Sequence, residues 1–217
     1  MSMKTILEKL DEGRQYRDID MSRIERRAED NGDMIVEGYA TTFEQPYLLW
    51  KEPGFEIWEV IDRNAFHHAD MRDVIMQYNH EGRVFARGSN GTLAVGPDEV
   101  GLHTRARLSG TTLGREIYEE IDGGYSTKMS FGFTVEKDEK IHEEDRETGF
   151  IKVTRRIQSI SKLYDVSVVS LPANDATSIS ARSFAEGVIR EILEERQEAL
   201  KRARQKQKIR ILAGGIK

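Results

Sequence analysis

A chain of 217 residues, 33 % of them charged and with a formal net charge of −5, has the length of one main domain plus an extension. Its acidic balance argues against a broad surface for nucleic acid or anionic membrane. The absence of cysteine excludes disulfides, thiol nucleophiles and thiolate metal sites. No apolar run approaches the roughly 18 residues that span a bilayer, and the charged N-terminus lacks the apolar core of a signal peptide, so the expectation is a cytosolic protein.

Residues 1–33 are charge-dense and poor in apolar side chains. They read as a flexible or weakly helical arm, broken at Asp30-Asn31-Gly32-Asp33. From Met34 the character changes. Met34–Phe43 and Phe55–Ile61 read as strands. Asn64 is a candidate cap for a short helix carrying Phe66 and Met71. Val74–Tyr78 is a compact strand running into Asn79-His80-Glu81-Gly82. Thr92–Val95 and Gly101–Leu108 read as two more strands. Thr111 or Thr112 caps a helix with Leu113, Ile117 and Ile121 on one face, which Gly123-Gly124 ends.

Lys128–Val135 then alternates strictly. Met129, Phe131, Phe133 and Val135 share one side, and Ser130, Gly132 and Thr134 the other. This is either a strand with a small polar face or a serine whose hydroxyl Gly132 leaves room to approach. Lys137–Thr148 reads as a charged, mobile surface loop. Ile151–Ile157 and Leu163–Ser170 are the last strands, stopped by Leu171–Asp175. From Phe184 the chain is helical, with Phe184, Val188, Ile189, Ile192 and Leu193 as an apolar stripe. It is acidic first and basic last, an order that suits the helix macrodipole. It is either a solvated helix or a tail that docks on a partner. The pattern predicts an α+β fold with a mainly antiparallel, barrel-like core, a few flanking helices and a charged C-terminal helix. The expected division is an arm over 1–33, a domain over 34–183 and a tail over 184–217.

Five histidines are present, and none pairs at the spacing of a zinc helix, so neither a metal nor another cofactor is expected. Gly88-Ser89-Asn90-Gly91 lacks the lysine and helix of a phosphate loop, and there is no Gly-x-Ser-x-Gly elbow. His80 differs from the other histidines because it follows a compact strand directly, where a rigid element holds an exposed end. Asp165 sits between Tyr164 and Val166 in an apolar strand, where a carboxylate needs a partner. A histidine N–H and an arginine both fit that need. Ser130, His80 and Asp165 are therefore a candidate nucleophile, base and orienting acid.

In order, Gly38-Tyr39-Ala40, Asn79-His80, Val84-Phe85-Ala86-Arg87, Gly101-Leu102, Thr112-Leu113-Gly114, Met129-Ser130-Phe131-Gly132-Phe133 and Asp165–Asn174 run along the chain. The set resembles the prohead (capsid maturation) proteases of tailed bacteriophages, a family related in fold to the herpesvirus maturation protease, assemblin. The resemblance covers roughly 34–183. It implies His80 as general base, Ser130 as nucleophile and Asp165 as the third member, where the family usually has a glutamate. Arg63-Asn64-Ala65-Phe66 departs from the family's usual Pro-Gly-Ala-Phe. By analogy the oxyanion donors are backbone N–H groups near Ala173 and Asn174. The implied activity is a serine endopeptidase that cleaves the scaffolding part of the major capsid protein precursor, and itself. The implied setting is the host cytoplasm, inside the immature prohead, with self-association and with neither nucleic acid nor membrane as partner. The C-terminal helix would then target the enzyme into the prohead and be trimmed. The competing reading is a non-catalytic assembly scaffold or chaperone that keeps a degenerate protease domain. A small-substrate esterase is a weaker alternative, since no apolar pocket is evident.

Overall fold

The structure is a computed structural model that describes residues 13–20, 25–28, 32–169 and 175–214. In chain order its strands are β1 (Arg14–Asp20), β2 (Glu25–Ala28), β3 (Met34–Thr42), β4 (Tyr47–Glu52), β5 (Phe55–Ile61), β6 (Ile75–Tyr78), β7 (Glu81–Arg87), β8 (Leu93–Pro97), β9 (Gly101–Arg107), β10 (Lys128–Glu144) and β11 (Ile151–Val169). Helix α1 (Thr112–Asp122) joins β9 to β10, and α2 (Asp175–Gly214) follows β11. The fold is thus mixed α+β, mostly strands. The chain divides into two units, Met1–Ala181 and Arg182–Lys217.

The strands form two sheets. One runs β2-β3-β9-β8. The other runs β1-β10-β11-β5-β4, with β6 also pairing β11 and β7 pairing β6. Neither closes into the expected barrel. The reason lies in β11, which is 19 residues long and serves two parallel neighbours at its two ends. Ile151–Ile157 lies beside β5 and Asp165–Val168 beside β6, so the sheet forks where a barrel would have closed. The other pairings between these strands are antiparallel.

The alternation read at Lys128–Val135 holds in space. Met129, Phe131 and Phe133 are buried and enter one core cluster with Phe66, Met76 and Val166. At α1 the Thr111 side chain caps by accepting from the Gly114 N–H at 2.9 Å, Ile117 and Ile121 are buried, and Gly123 N–H closes on Glu119 at 2.8 Å.

Four local expectations differ. The helix at Asn64 is a run of turns, in which the Asp62 carboxylate accepts the Asn64 N–H at 2.8 Å. The charged loop Lys137–Thr148 is largely strand. Lys137–Glu144 pairs with Ile151–Ser159 because the buried alternation of β11 demands a partner, and the turn shrinks to Asp145–Gly149, tied by the Gly149 N–H to the Asp145 carbonyl at 2.8 Å. Helix α2 begins at Asp175 instead of Phe184. In the N-terminal segment, Arg14–Asp20 and Glu25–Ala28 are strands, with β1 along β10 and β2 along β3.

What draws a charge-rich segment into a sheet is a buried polar cluster. Arg17 is 2 % exposed and Glu59 0 %. The guanidinium meets both carboxylate oxygens, Nε to Oε1 at 2.5 Å and Nη2 to Oε2 at 2.7 Å, the bidentate fit that suits arginine. Arg155 donates to the same carboxylate at 2.9 Å, and the Tyr47 hydroxyl donates to it as well. Burial alone would raise the Glu59 carboxyl. The charge and hydrogen bonds of Arg17, with Arg155 and Tyr47, outweigh it and hold Glu59 below the usual carboxylate range.

Arg17→Met is expected to lower stability at neutral pH by about 3 kcal/mol, the cost of breaking a buried pair from one side, read by urea unfolding. Because the folded Glu59 value is depressed, its contribution is present above the unfolded carboxylate value of about 4.3 and is lost as pH falls through the lower folded value. The gap between wild type and variant therefore narrows in acid. A gap that stays constant from neutral pH down into that range contradicts this account.

Candidate active site

Strands β6 and β7 are joined by only two residues, Asn79 and His80, with Tyr78 paired to Glu81. Both turn residues have positive φ, 50° and 60°, as tight hairpins require when the turn must match the strand twist. Neither residue is glycine, so the turn carries some backbone cost that the surroundings must hold, although asparagine and histidine adopt this region more readily than most residues. The hairpin is pinned by the Asn79 N–H to the Val168 carbonyl at 2.9 Å. Its tip turns the imidazole inward, where His80 is 0 % exposed and its Nδ1 lies 2.5 Å from Asp165 Oδ1. A carboxylate at that nitrogen fixes the ring proton on Nδ1 and makes Nε2 the basic nitrogen.

Asp165 reaches this place through a bulge. In β11, Asp165 pairs with Gly132 while Leu163 pairs with Phe133, so Tyr164 is an extra residue. Without it, Leu163 and Asp165 would share a face. With it, Leu163 enters the core and Asp165 turns to the opposite face, as bulges beside sites do. Ser167 lies two residues on, on that same face, and its hydroxyl donates to Asp165 Oδ1 at 2.7 Å.

Gly132 has a different reason from the one its sequence implied. A Cβ there would lie 2.6 Å from Asp165 Oδ2 and 3.0 Å from Tyr16 Cε1. The space beside Ser130 is therefore taken by the carboxylate and the Tyr16 ring. Ser130 itself pairs with Ser167 on β11, is 0 % exposed, and its Oγ has no hydrogen-bond partner among the described residues. Such a hydroxyl is costly to bury. The Tyr16 ring, also buried, lies 4.4 Å from the His80 ring between centroids.

Of the residues singled out in the sequence, His80 and Asp165 meet directly, and Ser130 stands on the same sheet face one strand away. Ala173 and Asn174 lie outside the described residues. The other histidines are elsewhere: His67 and His68 meet edge to face at the surface, His103 meets Glu37 at 3.2 Å, and His142 is exposed. Among the described residues no group of three His, Cys, Asp or Glu side chains could hold a metal, and no helix is long and apolar enough to cross a membrane. Two site residues escaped the sequence reading. Ser167 was findable from its two-residue spacing to Asp165. Tyr16 left only one trace, as the sole aromatic of residues 1–33.

Comparison with known proteins agrees with the ordered motifs. Residues 22–188 match the family described as caudovirus prohead serine protease. The chain belongs to that family. The prohead protease of Enterobacteria phage HK97 is 29 % identical over 158 residues, covering 71 % of this chain and 62 % of that protein. The chain thus spans less than two thirds of the length of this relative. The solved structure of the bacteriophage T4 capsid assembly protease aligns over 72 % of this chain and 98 % of its own, with 11 % identity and a TM-score of 0.38.

In this prohead-protease family member, Gly132→Ala is expected to force the Asp165 carboxylate off its hydrogen bonds with His80 and Ser167. The expected cost is about 1–3 kcal/mol in thermal or urea unfolding, the range for overpacking a filled site, together with a shift of the His80 ring resonances. An unchanged His80 spectrum in a stably folded variant contradicts the close contact.

Proposed function

We propose that the protein is a prohead maturation serine endopeptidase in which Ser130 is the nucleophile, His80 the general base and acid, and Asp165 the residue that orients the imidazole. The single observation that carries the reading is a buried histidine hydrogen-bonded to a carboxylate on the sheet face that also presents a buried serine hydroxyl with no hydrogen-bond partner among the described residues. In acyl transfer, the Ser130 Oγ attacks a peptide carbonyl while His80 takes its proton. The tetrahedral intermediate collapses as His80 returns the proton to the leaving amine, and water repeats the sequence on the acyl-enzyme. Asp165 holds the Nδ1 proton and stabilises the imidazolium that forms. Ser167, bonded to the same oxygen, keeps the carboxylate from turning away. Fixed oxyanion donors contribute a further few kcal/mol, and the N–H groups near Ala173 and Asn174 are proposed for that role by analogy.

The proposed substrates are the scaffolding part of the capsid precursor and the chain itself, inside the immature prohead in the host cytoplasm, with self-association there. The catalytic domain is proposed as 34–183. The arm 1–33 and the tail 184–217 are accessory to it, with the tail serving incorporation into the prohead. Kinship with the assemblin fold belongs to the same proposal.

Intact-mass analysis after co-expression with the capsid precursor tests this. Wild-type protein is expected to shorten the precursor and itself, and Ser130→Ala to leave both at full length. Asp165→Asn is expected to slow cleavage by roughly 10³–10⁴-fold through the wrong imidazole tautomer. Shells that assemble while wild type and Ser130→Ala both stay intact would favour the non-catalytic scaffold.

A further inference from the structure

Every strand has two edges. β10 gives one to β11 and the other, along Lys128–Thr134, to β1, with Asp18 opposite Ser130 and Tyr16 opposite Gly132. That leaves no main-chain edge of the Ser130 segment on which a second extended peptide can pair, although strand addition to such an edge is a common way to bind a peptide. The side chains say the same. The Tyr16 ring lies against His80 at 4.4 Å between centroids and against the place a Cβ on Gly132 would take. With β1 seated, Ser130 and His80 are both 0 % exposed. A protein substrate needs access to both. β1 also precedes residues 22–188, the part shared with the family.

We propose that β1 is a segment of the chain's own held in the peptide-binding edge of the active site, so that this form of the enzyme is closed and opens when Arg14–Asp20 is displaced or cut away. For its consequence this rests on the protease reading, but the covering itself can be tested without it.

The contacts that hold β1 are compatible with release. Arg17 grips Glu59, yet Glu59 keeps Arg155 at 2.9 Å and the Tyr47 hydroxyl. The buried carboxylate is therefore still paired after Arg17 leaves, which avoids the worst cost of a broken buried pair. The Arg14 guanidinium lies 3.7 Å over the Tyr164 ring, near the surface. The seat also defines the ligand class. A competing substrate is an extended peptide that pairs antiparallel with Lys128–Thr134 and lays an aromatic or large apolar side chain where Tyr16 sits.

The chain has no cysteine, so Ser130→Cys creates a single thiol whose alkylation rate reports access to position 130 whether or not the serine is a nucleophile. In this background residues 21–24 are replaced by the recognition sequence of a site-specific protease. The intact protein is expected to react slowly with iodoacetamide. After cutting and removal of the N-terminal peptide, with the circular dichroism unchanged, the rate is expected to rise at least about tenfold, which corresponds to about 1.4 kcal/mol of local protection lost. Adding back a synthetic peptide of residues 13–20 restores protection, and the same peptide with Tyr16→Ala restores less. A stripped, folded protein that stays protected overturns the proposal, as does an intact protein whose thiol reacts freely. If the peptide cannot be removed without unfolding, Tyr16→Ala in the intact chain decides: faster alkylation supports the proposal and an unchanged rate overturns it. The cut protein with Ser130 retained is then given the capsid precursor. Freed access without cleavage removes the protease reading while the covering by β1 stands.

Discussion

A carboxylate placed in an apolar strand must find hydrogen-bond donors or give up its charge. Asp165 finds them in His80 and Ser167, and much of the larger sheet is arranged to keep that meeting. The donor His80 stands at the tip of a two-residue hairpin in a left-handed backbone region that few non-glycine residues adopt. The hairpin holds because β6 lies parallel beside the same stretch of β11 that carries Asp165. The strain at the turn and the burial of the carboxylate are thus offset by one interaction, which is why neither is tolerable alone.

The sheet separates apolar from polar side chains by face at this point. Phe131, Phe133 and Val166 turn toward the core, and Ser130, Gly132, Asp165 and Ser167 share the other side. Strict alternation would have carried Leu163 and Asp165 to the same face. One extra residue, Tyr164, breaks the register and turns Leu163 and Asp165 to opposite faces. The close approach of β10 and β11 at this point is possible only because position 132 has no Cβ to meet the carboxylate.

Much of this was legible in the sequence, and the limits have physical causes. β3, β5, β6, β9 and α1 follow from hydrophobic period and capping, because each buries one face more deeply than the other. The meeting of His80 with Asp165, on the sheet face that carries Ser130, was legible through the ordered motifs, and the need of Asp165 for a partner through the cost of its burial. The outer half of β10 was not, since Lys137–Glu144 is largely exposed and its strand state is imposed by the partner β11. β1 was hidden for a related reason. Gln15-Tyr16-Arg17 carries no apolar alternation, and its burial is achieved by ion pairing to Glu59, which lies 42 positions away. The barrel expectation failed because antiparallel neighbours can be read from short turns, whereas the parallel contacts of β11 with β5 and β6 join segments distant in sequence.

The alternation of β1 links the two faces. Tyr16 turns to the side of His80 and Gly132, and Arg17, the next residue, turns to the core side, where it meets Glu59 and lies 5.6 Å from the Phe133 ring centroid. A strand is displaced as a unit, because a shift by one residue exchanges its faces. Loosening Arg17 therefore loosens Tyr16, and whatever draws Tyr16 from the histidine must also draw an arginine out of the interior. Opening the site and unseating the buried ion pair are one event. The strength of the Arg17–Glu59 pair, which has no part in the chemistry, sets how readily the histidine and serine meet solvent.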